Sequence, residues 1–332
     1  MVSAFSAENY PVLTRLPFLS RFAGAQPMST RPTAPEPPSP RPIRLSRTAE
    51  ATGLLDPYPR RVRLVAIDLD GTLLNQRKAI TPRTQRALHR AVNRGVQIVL
   101  ATARPPRSVR YYYQALRLSS LQINYNGALI WDEKQKHIIS HRPLDLELAR
   151  KAIAFARRRY RDIMVSVEIL DKWYTDHYSD VPEYTTETAK HFSPDFVGPL
   201  KSFLTVPVTK VMFLGKPEWV ADLEARIPQK FGYSLSHTRS DPHLLQIMAR
   251  GVNKGVALRA LADRLHIDLA DTMAIGDAPN DVEMLQTAGT AVAMGNAWPE
   301  LRAVARYAAP TNEEDGVAVA LERFVLTAHA AV

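Results

Sequence analysis

The 332 residues include no cysteine, which excludes disulfide frameworks, thiolate zinc sites, iron–sulfur clusters and cysteine nucleophiles. Apolar runs such as 99–101 are a few residues long, far short of the roughly 18 residues of a membrane-spanning helix. A soluble protein follows, and the lack of cysteine is compatible with a cytoplasmic, reducing location. Nine histidines are present, none at metal-ligand spacing. A formal charge of +10 is spread along the chain, with no single basic tract interleaved with aromatics as nucleic-acid binding would ask. Charge of this kind favours small anionic ligands over nucleic acid. With 45% hydrophobic and 23% charged residues, the chain can bury a substantial core in about two domains.

Composition changes near residue 60. Residues 27–42 hold seven prolines among Ser, Thr and Arg, without the apolar periodicity a packed element needs, so residues 1–60 read as a disordered tail. Residues 1–26 lack the charged-then-apolar layout of a secretory signal. An organellar transit peptide or an over-extended start are the alternatives. Seven arginines against four acids leave +3 on the tail, so +7 of the total belongs to residues 61–332.

From residue 61 the pattern becomes regular. A buried strand over 64–67 ends at Asp68, and Thr81-Pro82 opens a helix closed by Gly95. A strand over 96–101, a helix over 106–118 and a strand over 121–124 follow, then a tight Asn126-Gly127 turn into a hairpin. The alternation returns with strands over 272–275 and 290–294 and helices over 281–288, 299–305 and 316–325. Such an order predicts an α/β fold, a doubly wound Rossmann-like parallel sheet. The middle differs: helices over 146–161 and 217–230 separate β-rich stretches over 164–175, 208–214 and 243–248. The expected organisation is a discontinuous core, 61–143 with 249–332, and an inserted α+β cap, 144–248.

Chemistry gathers at strand ends and helix starts. In Asp68-Leu69-Asp70-Gly71-Thr72 two carboxylates at i and i+2 on a turning backbone can face one site, Gly71 admits close approach, and Thr72 can hold the turn. A lone Asp after a strand is more often a cap or turn residue. Two of them with Gly-Thr after an apolar strand make a specific signal. Asp277 and Asn280 could equally cap the following helix, and capping is compatible with anion binding at a helix start.

The segment 68–74 (DLDGTLL) resembles the first motif of the haloacid dehalogenase (HAD) superfamily. Thr102-Ala103-Arg104, Asn253-Lys254-Gly255 and Gly276-Asp277-Ala278-Pro279-Asn280-Asp281 resemble the remaining three in order. With Tyr125-Asn126-Gly127-Ala128, the likeness narrows to the Cof-type, type-IIB-capped, sugar-phosphatase-like branch over about 61–327. It implies a phosphomonoester hydrolase for small phosphorylated metabolites, such as sugar phosphates, flavin mononucleotide or pyridoxal phosphate. Asp68 would be the nucleophile and Asp70 the acid and base. Mg²⁺ would be held by the side chains of Asp68 and Asp277 and the backbone carbonyl of Asp70, with Asp281 and Thr72 supporting them. Lys254, Thr102, Asn280 and the amides of Leu69 and Ala103 would hold the phosphoryl oxygens. The second motif is commonly Thr-Gly-Arg in this branch, so Ala103 departs from it by one methyl group. A phosphotransferase or phosphomutase would share the aspartyl-phosphate step. Retention of Asp68, Asp70, Lys254 and Asp277 together argues against a non-catalytic binding protein. Neither a nucleic-acid nor a membrane partner is implied, and oligomeric state is not readable.

Arg157, Arg158, Arg159 and Arg161 read as the solvated face of a cap helix, and Tyr111, Tyr112 and Tyr113 as helix packing. The polar and aromatic run from Asp171 to Tyr178 is the candidate specificity surface on a cap that closes over the cleft. For the tail, deletion of residues 1–60 should leave melting temperature and phosphatase turnover nearly unchanged, measured by calorimetry and phosphate release.

Overall fold

Four apolar residues, Leu64–Ile67, form β1, and every one of them is buried. The computed structural model describes residues 61–178 and 181–327; the expected tail lies outside them. After β1 come α1 (Pro82–Asn93), β2 (Gln97–Leu100), α2 (Pro106–Ala115) and the strands β3 (Gln122–Asn124), β4 (Leu129–Asp132) and β5 (His137–His141). Next are α3 (Leu146–Arg159), β6 (Met164–Ile169), β7 (Lys172–Thr175), β8 (Phe196–Val197), β9 (Lys210–Leu214), α4 (Pro217–Phe231), β10 (Leu235–Asp241) and β11 (Leu244–Ala249). The chain closes with α5 (Lys254–Arg264), β12 (Thr272–Gly276), α6 (Val282–Thr287), β13 (Thr290–Ala293), α7 (Pro299–Val304), β14 (Tyr307–Ala308) and α8 (Gly316–Leu321).

Five strands make a parallel sheet in the order β14-β13-β12-β1-β2. The returning half of the chain therefore lies directly beside β1, with Leu64 opposite Thr272 and Ile67 opposite Ile275. Because side chains alternate across a strand, Val65 and Ile67 pack toward α1, α2 and α8, while Leu64 and Ala66 pack toward α5, α6 and α7. Helices on both faces and every strand end on one edge give the doubly wound arrangement, in which ligands sit beyond the carboxyl ends. Thr81 caps α1 by accepting from Thr84 N at 3.2 Å, with Pro82 in the first turn. Asn253 caps α5, its Oδ1 accepting from Val256 N at 2.7 Å.

The inserted module is a six-stranded sheet in the order β10-β11-β9-β6-β7-β8. Its one face, with Val165, Val167, Val211, Phe213 and Ile247, is covered by Ala152 and Ile153 of α3 and Val220 and Leu223 of α4. The other face looks onto the cleft above the parallel sheet. The β-rich stretch over 164–175 is a hairpin, broken where Leu170 takes a left-handed backbone (φ 56°). Strand β10 has no counterpart in the sequence reading because its residues, LSHTRSD, are mostly polar. The helix expected over 106–118 stops at Ala115, beyond which Arg117 is left-handed (φ 50°).

Helix α5 approaches α6 so closely that a Cβ on Gly255 would stand 2.3 Å from the Glu283 carbonyl oxygen. Gly255→Ala should therefore cost about 1–3 kcal/mol through overpacking, seen as a melting temperature lowered by several degrees with an unchanged far-ultraviolet spectrum.

Candidate active site

The ends of β1, β2 and β12 open onto one cleft of about 500 Å³, lined on the core side by Asp68, Asp70, Thr102, Ala103 and Asn280 among others. Lys254, the first residue of α5, is fully buried beneath it, with Nζ 2.6 Å from Oδ1 of both Asp68 and Asp281. Thr72 Oγ1 donates to Asp277 Oδ1 at 2.7 Å. The second oxygen of Asp281 accepts from the backbone N–H groups of Asp277 and Ala278, each at 3.2 Å. Gly71 has a left-handed backbone (φ 84°), and a Cβ there would lie 2.3 Å from Asp277 Oδ2. Only glycine lets the first and fourth motifs come this close.

Ligand oxygens of Asp68, Asp277 and Asp281 lie within 4.8 Å of one another. Three carboxylates against one ammonium leave an excess of two negative charges in a buried place. Burial pushes the Asp68 carboxyl well above its ordinary value despite the pull of Lys254. Burial, with the neighbouring Asp281 charge, pushes Asp277 up to about 7. Lys254 goes the other way: burial opposes its charge, but the two carboxylates hold the ammonium above the ordinary lysine value. Hard oxygen donors with this excess charge fit a divalent cation such as Mg²⁺. Both oxygens of Asp281 are already engaged, by Lys254 and by two amides, which suits a supporting position.

Thr102 is buried and its hydroxyl accepts from Arg104 N at 3.1 Å. The backbone N–H groups of Leu69 and Ala103 have no protein acceptor among the described residues. Ala103 is absent from the left-handed residues, so its methyl group introduces no backbone strain. Asp70 is clamped by Arg104, whose Nε lies 2.6 Å from Oδ2 and whose Nη2 reaches Oδ1, and by Lys78 Nζ at 2.7 Å. Burial alone would raise the Asp70 carboxyl, but the two cations more than offset it and hold it low.

Asn280 Nδ2 donates to Asn126 Oδ1 at 3.0 Å. Asn126 is left-handed (φ 55°) and its N–H donates to the Thr102 carbonyl at 2.9 Å. At Gly127, also left-handed (φ 97°), a Cβ would come within 2.4 Å of the Asn253 carbonyl oxygen. One tight turn thus touches the second, third and fourth motifs. Its part in holding Asn280 was not visible in the sequence, although Asn-Gly marked the turn itself.

The cap supplies a second polar group that no motif marks. Arg107 makes a two-pronged contact with Glu168 at 2.8 and 3.0 Å, and Tyr125 OH donates to Glu168 Oε2 at 3.1 Å. Lys210 Nζ donates to the Ala103 carbonyl at 3.1 Å and to Gln246 Oε1 at 3.0 Å. Burial lowers Lys210 to about 8, with Glu168 opposing the shift. Within the Asp171–Tyr178 run, Trp173 lines the cleft, whereas Tyr174 stacks on Phe203 (5.5 Å) and Lys172 pairs with Asp195 (2.7 Å).

The family model for haloacid dehalogenase-like hydrolases matches residues 65–321. The chain belongs to the haloacid dehalogenase-like hydrolases. This hydrolase is 32% identical over 267 residues to the 5-amino-6-(5-phospho-D-ribitylamino)uracil phosphatase YitU of Bacillus subtilis, covering 79% of this chain and 97% of that protein. It is 31% identical over 274 residues to the HMP-PP phosphatase of Yersinia enterocolitica, covering 80% and 97%. A haloacid dehalogenase-like hydrolase of Bacteroides thetaiotaomicron superposes with a TM-score of 0.70 at 27% identity, covering 79% of this chain and 99% of that one. The HAD subclass IIB sugar phosphatase BT4131 shares the fold, with a TM-score of 0.70 at 22% identity over 79% and 99% of the two chains. The hydrolase is an enzyme of the phosphatase type. No helix among the described residues is long and apolar enough to cross a membrane.

Lys210 holds the Ala103 loop more firmly as an ammonium than as a neutral amine, because charge-assisted hydrogen bonds are the stronger. Its pKa is depressed, so the charge is lost as pH rises through about 8. Apparent substrate affinity, read as 1/KM against pH, should fall above that value in the wild type, and Lys210→Met should be weaker overall and lack that limb.

Proposed function

We propose that this hydrolase removes phosphate from small phosphomonoesters through a covalent aspartyl-phosphate on Asp68, with Mg²⁺ as its resident metal. The reading is carried by one observation: Asp68 stands at the mouth of β1 beside a buried ammonium, an acidic cluster and two backbone amides without protein acceptors. Bound Mg²⁺ supplies the charge that lets a carboxylate approach a phosphate dianion. The side chains of Asp68 and Asp277 and the carbonyl of Asp70 are its proposed ligands, with Asp281 and Thr72 orienting them. Residues 61–143 and 249–332 form the catalytic core in this reading, and 144–248 the cap.

An Asp68 oxygen attacks phosphorus as the ester oxygen departs. Asp70 gives that oxygen a proton, then takes one from the water that attacks the phosphoenzyme, releasing phosphate and restoring Asp68. Held anionic by Arg104 and Lys78, Asp70 suits the second half of the cycle. The first half requires that clamp to loosen as the leaving group arrives. Lys254, Thr102, Asn280 and the amides of Leu69 and Ala103 stabilise the charge on the transferring group. The relatives named for a phosphoribitylaminouracil and for HMP-PP support small phosphorylated compounds as the substrate class.

Phosphate release from a panel of phosphomonoesters tests this. Turnover should vanish on chelation and return with Mg²⁺, and Asp68→Asn should lower kcat at least about a thousandfold. Asp70→Asn should be severe for alkyl esters and milder for aryl esters, whose leaving groups need little protonation. Undiminished turnover by Asp68→Asn would remove the mechanism.

A further inference from the structure

The cleft face of the cap sheet is graded in polarity, and strand register sets the order. Lys210 lies opposite Glu168, Met212 between Ser166 and Gln246, and Leu214 between Met164 and Leu244. The row of Lys210 and Glu168 abuts the core through the Lys210–Ala103 and Arg107–Glu168 contacts. Each step of two residues advances a strand about 6.6 Å, so the apolar row of Leu214 lies ~13 Å beyond the charged one. There the sheet carries a separate buried cluster of Met164, Trp173, Met212 and Leu214.

These four side chains form the sheet wall of a cavity of about 150 Å³, closed on the other side by the segment 184–194 with Phe192 and Pro194. Trp173, Met212 and Leu214 also line the catalytic cleft, so the two spaces adjoin. The hydroxyls on the sheet side of the annex are engaged with one another: Ser166 Oγ donates to Thr175 Oγ1 at 2.9 Å, and Thr175 Oγ1 lies 3.1 Å from the His177 carbonyl oxygen it donates to. Thr185, Thr186 and Ser193 lie on the opposite side, and the buried Trp173 Nε1–H has no protein acceptor among the described residues. An apolar cavity of roughly 150 Å³ is large enough to hold a benzene ring. A sugar ring laid against the sheet wall would bury the hydroxyls of one face against thioether, indole and isobutyl groups, an unfavourable transfer, whereas a flat aromatic ring matches that wall.

We propose that this annex receives a flat aromatic ring on the leaving group. The preferred substrates are then phosphomonoesters of alcohols that carry such a ring several bonds from the phosphoester, and simple hexose phosphates are poor ones. The proposal rests on the phosphatase reading above and adds the class of leaving group. The polar middle of the cleft, with Lys210 and Gln246, accommodates a spacer bearing oxygen or nitrogen.

Two ligand pairs test it on the full-length protein with Mg²⁺. The first is 4-phenylbutyl phosphate against n-butyl phosphate, compared by kcat/KM. The second is the corresponding phosphonates, which cannot be hydrolysed, compared by calorimetric Kd. Burial of the ring should favour the phenyl member about ten- to a hundredfold in both pairs. Met212→Gln, close to methionine in volume, should lower that ratio at least severalfold, and Met212→Leu should retain it. Equal Kd for the two phosphonates together with equal kcat/KM for the two esters would overturn the annex. A ring preference in phosphonate binding with no hydrolysis of either ester would support the annex and overturn the phosphatase reading instead.

Discussion

A single buried ammonium organises the catalytic end of this protein. Lys254 is fully buried and sits between Asp68 and Asp281, 2.6 Å from each. An unpaired charge at that depth would be strongly unfavourable, so the three side chains specify one another. Because Asp68 ends β1, Lys254 begins α5 and Asp281 follows β12, the contact joins segments 186 residues apart in sequence. Every other alignment in the site depends on that closure. The amides of Asp277 and Ala278 reach Asp281, Thr72 reaches Asp277, and Gly71 yields the space between the first and fourth motifs.

Much of this was legible because parallel strands in a doubly wound sheet are buried on both faces. They read as short apolar runs, and their polar residues stand out at the carboxyl ends where function sits. Asp68, Thr102 and Asp277 all follow that rule. Lys254 was legible through the likeness of Asn253-Lys254-Gly255 to the family's third motif, and the structure gives the physical reason: Asn253 caps α5 and places the lysine in its first turn.

The rest depended on pairing across the fold. Asn126 holds Asn280 only because a left-handed turn after β3 faces the loop after β12, and that proximity has no signature in either segment alone. Glu168, Arg107 and Lys210 are charged residues that composition assigns to the surface, yet Glu168 and Lys210 are buried and Arg107 is largely covered where the cap sheet meets the core. Strand β10 went unseen because an edge strand with one solvated side needs little apolar alternation. In the Asp171–Tyr178 run the period of two divides the residues between faces, so Trp173 turns to the cleft while Tyr174 packs behind the sheet.

The seam between cap and core is ionic at the cleft, where Glu168 and Lys210 meet Arg107 and the Ala103 loop, and apolar beside it, where Tyr125 and Leu129 meet Leu170 and Met248. Charges brought together out of water lose hydration nearly as large as the attraction they gain, so the Arg107–Glu168 pair and the Lys210 contacts fix orientation while adding little net adhesion. Separating them returns each group to water at small expense. An apolar seam of the same extent would resist parting in proportion to its area. Contacts of the ionic kind therefore set the register of the two layers at the cleft mouth while contributing little to how firmly they adhere.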